Sequence, residues 1–294
     1  MAASPVLVLD AFSLLYRAFF ALPPLTTKAG EPTSALYGLT ALLLKLLREH
    51  RPAGAVFAVD LKQPTFRHLA YDGYKQTRRA SPRPLLQQVE RLPEVFEAFE
   101  LPYFAVPGFE ADDLLATLAR ELLDAGERPM LVSGDRDALQ LARGSVTVLF
   151  AARGVKDTEY DEKTVLRRFG VPPERLPDYA ALVGDPSDNI PGVAGVGAQT
   201  AAHLLNAFGD LDGLLANLGR VEPARLRASL EAHADRLHLW RDLTRLRDDV
   251  PLPAGPRYGA IRRSAKARVQ RFCEALELGS LLPRLDDAFA HAIP

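Results

Sequence analysis

Apolar residues in the first half of the chain alternate between short unbroken runs and longer stretches at helical spacing. Residues 6–9, 54–59, 103–106, 129–133 and 146–150 are short β-branched and aliphatic runs, which predicts buried strands. Between them, residues 12–21, 35–49, 85–99 and 110–125 repeat Leu, Ala and Phe every three or four positions, which predicts helices. Leu22-Pro-Pro-Leu25 ends the first of these, because proline cannot continue a helix. Strands separated by helices imply βαβ units and a mainly parallel sheet. Three of the strands run into an aspartate: Asp10, Asp60 and Asp135. An open α/β sheet binds ligands beyond the carboxyl ends of its strands, so these three acids are expected to converge there.

The second half reads differently. Helical stretches at 163–169, 177–183, 198–208, 211–217, 223–234 and 236–248 are cut by Gly and Pro. A Pro-rich loop at 251–256 precedes a last helix over 265–278. There are no internal repeats and no low-complexity tract.

Composition narrows the classes. The 294 residues, 48% hydrophobic and 25% charged, have the balance of a globular chain with a sizeable core. No apolar run approaches the roughly 18 residues of a membrane span. Met1-Ala-Ala-Ser-Pro5 lacks a basic leader segment, so no secretory signal is expected. The lone Cys273 rules out an intramolecular disulfide framework and fits a reducing, cytoplasmic setting. It falls in a helical pattern and reads as a packed thiol. The six histidines are scattered without metal-ligand spacing, which argues against zinc. A net charge of only −1 hides two basic stretches. Residues 62–91 carry seven Lys/Arg against two Asp/Glu, and 257–271 carry six Lys/Arg and no acid. Such stretches suit a polyanion, although either alone also reads as a solvated helix face.

The acids gather at element ends: Asp10, Asp60, Glu110-Ala-Asp112-Asp113, Asp135-Arg-Asp137 and Asp185-Pro-Ser-Asp188. Each alone has a plain explanation as a helix cap or a charge favouring a helix dipole. Together they would repel strongly around one crevice unless cations neutralised them. Oxygen-only ligands point to Mg²⁺ or Mn²⁺. Two such ions suit phosphodiester cleavage. Next comes Ile190-Pro-Gly192-Val-Ala-Gly195-Val-Gly197-Ala-Gln199-Thr200, a glycine-rich turn between two helices. Its glycines allow close backbone approach, and the free N–H groups of the following helix suit a phosphate. No GK[ST] follows and no strand precedes it, so neither a Walker loop nor a dinucleotide site fits.

In this order and spacing the motifs resemble the 5′-nuclease family, which includes the flap endonucleases and the nuclease domain of bacterial DNA polymerase I. The matching pieces are Leu9-Asp10…Tyr16-Arg17, Phe57-Ala-Val-Asp60…Pro64-Thr-Phe-Arg67, Tyr74-Lys75-Gln-Thr-Arg78, Gly108-Phe-Glu110-Ala-Asp-Asp113, Asp135-Arg-Asp137 with Gln140-Leu141, residues 182–192, and Gly195-Val-Gly197. They span residues 6–282, with a thin match beyond Pro251.

The resemblance implies an α/β fold: a PIN-like, mainly parallel sheet flanked by helices, then a helical region with a helix-hairpin-helix. The catalytic domain is expected over 1–160, with a helical arch at about 62–90. The helical DNA-binding region is expected over 161–294, with the hairpin at about 177–207. The implied activity is structure-specific 5′-3′ exonuclease and flap endonuclease cleavage by two metal ions, in replication and repair. By the same resemblance, Asp10, Asp60, Glu110 and Asp112 would hold a first Mg²⁺ or Mn²⁺. Asp135, Asp137, Asp185 and Asp188 would serve a second, with Asp113 in support. Lys75 and Arg78 would contact the scissile phosphate from the arch. Arg17, Arg67, Tyr74, Arg79, Gly192, Gly195, Gly197, Gln199 and Thr200 would touch DNA, with K⁺ helping at the hairpin. Implied partners are branched or flapped DNA, RNA-primed 5′ ends and a DNA polymerase, with no membrane. A monomer in the bacterial cytoplasm, associated with the nucleoid, is expected. One departure is Gln199, which stands where the family's hairpin carries Lys.

Other classes fit the residues less well. A catalytically dead DNA binder would gain nothing from stacked carboxylates. Phosphotransfer domains of the HAD type need Asp-x-Asp after the first strand, where this chain has Asp10-Ala-Phe12. Receiver domains are far shorter. A PIN-type ribonuclease is a closer rival.

Overall fold

The computed structural model describes residues 4–151 and 157–293, so the first residues read above for a leader lie outside the described part. Its centre is a sheet ordered β3-β2-β1-β4-β5-β6, with β1 Val6–Asp10, β2 Gly54–Ala58, β3 Tyr103–Phe104, β4 Pro129–Ser133, β5 Thr147–Phe150 and β6 Thr158–Tyr160. The pairs β1–β2, β1–β4, β2–β3 and β4–β5 are parallel, and β6 closes the edge antiparallel to β5. The pleat sorts side chains by parity. Val6 and Val8 face one core, with Leu114 and Leu118. Leu7 and Leu9 face the other, with Leu39 and Leu43. Burial on both faces explains why these strands read as unbroken apolar runs.

Helices cover both faces. They are α1 Ala11–Ala21, α2 Ser34–His50, α3 Phe66–Ala70, α4 Arg83–Glu90, α5 Leu92–Phe99 and α6 Ala111–Asp124. The register pairs Asp10 with Ala58 and Leu9 with Val132, so β1, β2 and β4 end at one level. Asp60 lies two residues past β2, and Asp135 two past β4.

After β6 come α7 Glu162–Phe169, α8 Leu176–Val183, α9 Ala198–Phe208, α10 Leu211–Ala216, α11 Ala224–Glu231 and α12 Ala234–Thr244. The chain then leaves this helical region. β7 Gly259–Ala260 pairs antiparallel with Gly54 and Ala55, and α13 Arg263–Ala275 buries Ala265, Val269, Phe272 and Cys273 in the core with Leu7 and Leu9. The division expected at 160/161 therefore needs correction: residues 259–293, including the last helix α14 Leu285–Ala288, return to the sheet domain. The basic 257–271 stretch is partly neutralised there, by Arg257–Glu121, Lys266–Asp286 and Arg268–Glu100 pairs.

Two other expectations are revised. The single helix over 85–99 is two, broken at Arg91 because Pro93 cannot donate to the preceding turn. The segment 62–90 is also not helical throughout. Only α3 and α4 are helices, and residues 72–77 form turns that place Lys75 at φ 56°. No described helix is long and apolar enough to cross a membrane.

Candidate active site

The strand ends deliver the acids as expected from topology. Asp10 caps α1, accepting from the Ser13 amide at 3.0 Å and from the buried Ser133 hydroxyl at 2.7 Å. Asp60 accepts from the Ala111 amide at 2.8 Å, which anchors it to the start of α6. Glu110 caps α6, and Asp112 sits in its first turn with a buried Oδ1 that has no hydrogen-bond partner among the described residues. Asp135 accepts from the Asp137 amide at 3.0 Å. Asp185 opens the hairpin and accepts from Ser187, and Asp188 follows in the same loop. Carboxylate oxygens of Asp137, Asp185 and Asp188 all lie within 4.8 Å of one another.

Crowding shows in the protonation equilibria. Burial first, then the Asp60 charge, pushes the Asp10 carboxyl up to about 7. Burial raises Asp112 well above its ordinary value, helped by Asp135 and Asp10. Asp137 rises in the same way, helped by Asp135 and Asp188. Asp60 and Asp135 are raised mainly by burial, with partial relief from backbone N–H donors. Ionising this set together requires added positive charge.

Part of that charge comes from the turn after α3. Lys75 Nζ donates to Glu110 at 2.8 Å, and Arg78 donates to Asp188 at 2.7 Å. The Lys75 amide donates to the Asp188 carbonyl at 3.1 Å, and Asn189 donates to the Gly73 carbonyl at 2.7 Å, so this turn and the hairpin loop brace each other. A non-glycine residue in the left-handed region costs about 1–2 kcal/mol and persists where surroundings fix it, as these bonds do.

Three sequence expectations change on the geometry. Asp113 faces away from the crevice. It is fully buried, with both oxygens bonded to Arg67 at 2.7 and 2.8 Å and further N–H donors from Glu110 and Arg247. Arg67 is not at a DNA surface. It is 1% exposed and also donates to the Leu243 and Arg245 carbonyls at the end of α12. Tyr74 is buried too, its hydroxyl 2.9 Å from both Glu110 and Asp188. These three support the carboxylates from behind. Arg17 lies apart, paired with Asp157 beside Lys45. Arg79 is exposed and lines the crevice.

The hairpin has the expected close approach. Gly184 and Gly192 have φ of 86° and 69°, and a Cβ on Gly192 would lie 2.4 Å from the Gly184 nitrogen. Gly195, Gly197 and Gln199 are exposed and Thr200 half-buried at the start of α9. Among the described residues no side chain caps α9.

Two cavities meet at the carboxylates, sharing Arg78, Gly134 and Asp135. One, of about 530 Å³, runs past Asp10, Asp60, Tyr16, His68 and Arg79. The other, of about 800 Å³, runs toward α9 past Arg136, Arg168 and Tyr179. Arg136, Arg168 and Tyr179 were given no role from sequence, although Arg136 stands between two of the acids that were.

Comparison with known proteins agrees with this architecture. Residues 5–170 match the family model for a 5′-3′ exonuclease N-terminal resolvase-like domain, and 171–266 match that for a 5′-3′ exonuclease C-terminal SAM fold. The chain is 41% identical to DNA polymerase I of Mycobacterium leprae over 98% of its length, and 43% identical to the thermostable DNA polymerase I of Thermus filiformis over 94%. It spans about a third of those relatives, 32% of each. Among solved structures, the T5 D15 protein co-crystallised with metal ions superposes with a TM-score of 0.68 at 18% identity, over 97% of this chain and 99% of that one. The catalytic core of Rad2 in complex with DNA substrate gives 0.65 at 18% identity, over 98% and 92%. Human GEN1 in complex with Holliday junction DNA gives 0.64 at 15%, over 98% and 72%. At these identities the likeness is one of fold.

Proposed function

Since the chain belongs to the 5′-3′ exonuclease family, we propose that its acidic crevice hydrolyses phosphodiester bonds near 5′ ends and 5′-flap junctions of DNA with two divalent cations. Membership makes it a nuclease. The observation that carries the finer reading is the set of eight carboxylates, from Asp10 to Asp188, gathered at the sheet's C-terminal edge with positive charge from one flanking turn.

The donor set fits hard cations. It is all oxygen, Asp137, Asp185 and Asp188 converge within 4.8 Å, and Asp112 offers a buried oxygen with no other partner among the described residues. Asp10, Asp60, Glu110 and Asp112 would hold one ion, and Asp135, Asp137, Asp185 and Asp188 the other. Mg²⁺ or Mn²⁺, when bound, supplies charge that makes a water nucleophilic near neutral pH and offsets charge on the phosphoryl oxygens.

The chain's own groups do the rest. Lys75 and Arg78, placed at the crevice mouth, hold the scissile phosphate and stabilise the charge that builds on it. Arg79 lies along the route of the single-stranded 5′ end. Backbone amides at the exposed Gly195, Gly197 and Gln199 hold a duplex phosphate, with a monovalent cation such as K⁺ assisting. The groups proposed to meet DNA face phosphates rather than base edges, so selection is by shape. Flapped or branched DNA and RNA-primed 5′ ends are the proposed substrates, met as a monomer in the bacterial nucleoid and in company with a DNA polymerase.

The test is cleavage of labelled 5′-flap duplexes of scrambled sequence but fixed geometry, with Mg²⁺ and with EDTA. Cutting at one position relative to the junction, lost in EDTA, is expected. Strong sequence dependence, or equal cutting of closed unbranched duplex, refutes the reading.

A further inference from the structure

We propose that the cavity between the carboxylates and α9 is a second phosphate-binding track, in which Arg136 and Arg168 grip the duplex strand on the far side of the scissile bond from Lys75. This rests on the nuclease reading above. The motif residues assigned there lie in the carboxylates, the turn and the hairpin, and Arg136 and Arg168 belong to none of these.

The geometry is that of a channel. The two cavities join at Arg78, Gly134 and Asp135, so a strand whose scissile phosphate lies at the carboxylates must leave through the other side. On that side the lining runs from Asp137 and Asp185 to Ala198 in the first turn of α9. The gap between cluster and hairpin is where a continuous backbone needs cations, and Arg136 and Arg168 both line it. Both are exposed.

Arg136 sits between Asp135 and Asp137, in a turn closed by the Asp137 amide donating to Asp135, and lines the groove. It lies near enough to Tyr179 for its charge to act on the phenol. Arg168 is held in the last turn of α7. Its guanidinium donates to the Tyr160 hydroxyl and lies 5.4 Å from the centroid of that ring and 5.5 Å from that of Phe169. Phe169 in turn meets Tyr179 edge-on at 5.8 Å. An arginine oriented by aromatic stacking loses less freedom on meeting a phosphate than a free one. The aromatic wall suits sugar faces while the two cations meet phosphates. Among the described residues neither guanidinium pairs with a carboxylate, unlike Arg67, Arg78 and Arg241.

The experiment is equilibrium binding of a fluorescent, nicked duplex without a flap, in EDTA so that no cutting occurs, across a salt series. It is paired with single-turnover cleavage of a 5′-flap substrate in Mg²⁺. Arg136→Gln and Arg168→Gln should each weaken duplex binding about tenfold and lower the salt slope by about one. The saturated cleavage rate should stay within about twofold of wild type. Arg168→Lys should keep most of the slope, because a point charge still meets the phosphate, and Arg271→Gln on the outer face of α13 should change nothing. Unchanged affinity and slope in both Gln variants, with wild-type flap cleavage intact, overturns the track and leaves the nuclease reading standing. Loss of saturated rate at unchanged affinity also overturns it. Weakened duplex binding in the variants of a protein that cuts no flap keeps the track and sinks the nuclease reading.

Discussion

Asp10→Asn tests whether the carboxylates are held against their own repulsion. The Asp10 carboxyl moves from 3.8 to about 7 on folding, chiefly through burial and the Asp60 charge. A shift of that size corresponds to ~4 kcal/mol at 1.36 kcal/mol per unit, and relaxation around the charge roughly halves it, to about 2 kcal/mol. The sign follows from linkage. The folded value lies above the unfolded one, so the native state binds the extra proton between them. This contribution is complete below about pH 4 and is lost as pH rises through about 7. At pH 8 the metal-free wild type therefore carries a penalty that the asparagine variant lacks. Asn keeps the acceptor for the Ser13 amide and the volume of the side chain. In EDTA at pH 8 the variant should melt about 4 °C higher, on the scale of 2–4 °C per kcal/mol for chains of about this size. The difference should shrink as pH falls through 7 and vanish only below about pH 4. In saturating Mg²⁺ the order should reverse, since the variant has lost a ligand. Scanning calorimetry from pH 3.5 to 8.5 measures all three. A variant equally shifted at every pH, or less stable at pH 8 without metal, would refute the reasoning.

The other tests are shorter. Lys75→Ala should slow single-turnover cleavage by ~10²-fold or more while tightening divalent-cation binding, because it removes a positive charge that pairs with Glu110; titration calorimetry and quenched flow read the two effects, and slower cleavage with weaker cation binding would contradict the pairing. Asp137→Ala should abolish cleavage with duplex affinity in EDTA kept within a few-fold, and wild-type rates would remove it from the metal set. Arg67→Met should destabilise the fold by ~3–5 kcal/mol at neutral pH, since it leaves Asp113 charged and buried without its partner; denaturant unfolding reads it, and a change under 1 kcal/mol would mean the ion pair is not holding α6 to α12.

Much of the fold was legible because burial on both faces leaves a mark that period alone reveals. Apolar runs ending in Asp10, Asp60 and Asp135 located three strands, and the rule for parallel sheets placed their ends together. β6 and β7 were missed for the opposite reason. Thr158-Glu-Tyr160 and Gly259-Ala260 are edge strands of three and two residues, too short for any period. The return of α13 to the sheet was hidden as well, because an amphipathic helix records that one face is buried and not against what. The break between α4 and α5 was missed too, although Pro93 marks it in the sequence.

The site was legible as a set of acids but not as a set of directions. Motif order grouped Asp112 with Asp113, yet adjacent residues on a helix point about 100° apart, so one enters the crevice and the other the core. Arg67 and Tyr74 belong to motifs that also carry crevice residues, and proximity in sequence again said nothing of side-chain direction. Their burial has a physical purpose. Glu110 is grasped by Arg67, Tyr74 and Lys75, while Tyr74 and Arg78 grasp Asp188. Through Tyr74 the two carboxylate groups share one hydroxyl, and through Arg67 the start of α6 is tied to the end of α12 in the helical region. A crevice of like charges would otherwise relax by rotating its carboxylates apart. With donors fixed behind Glu110 and Asp188, those two carboxylates keep their inward geometry before any cation or substrate arrives, so binding energy is not spent on assembling them.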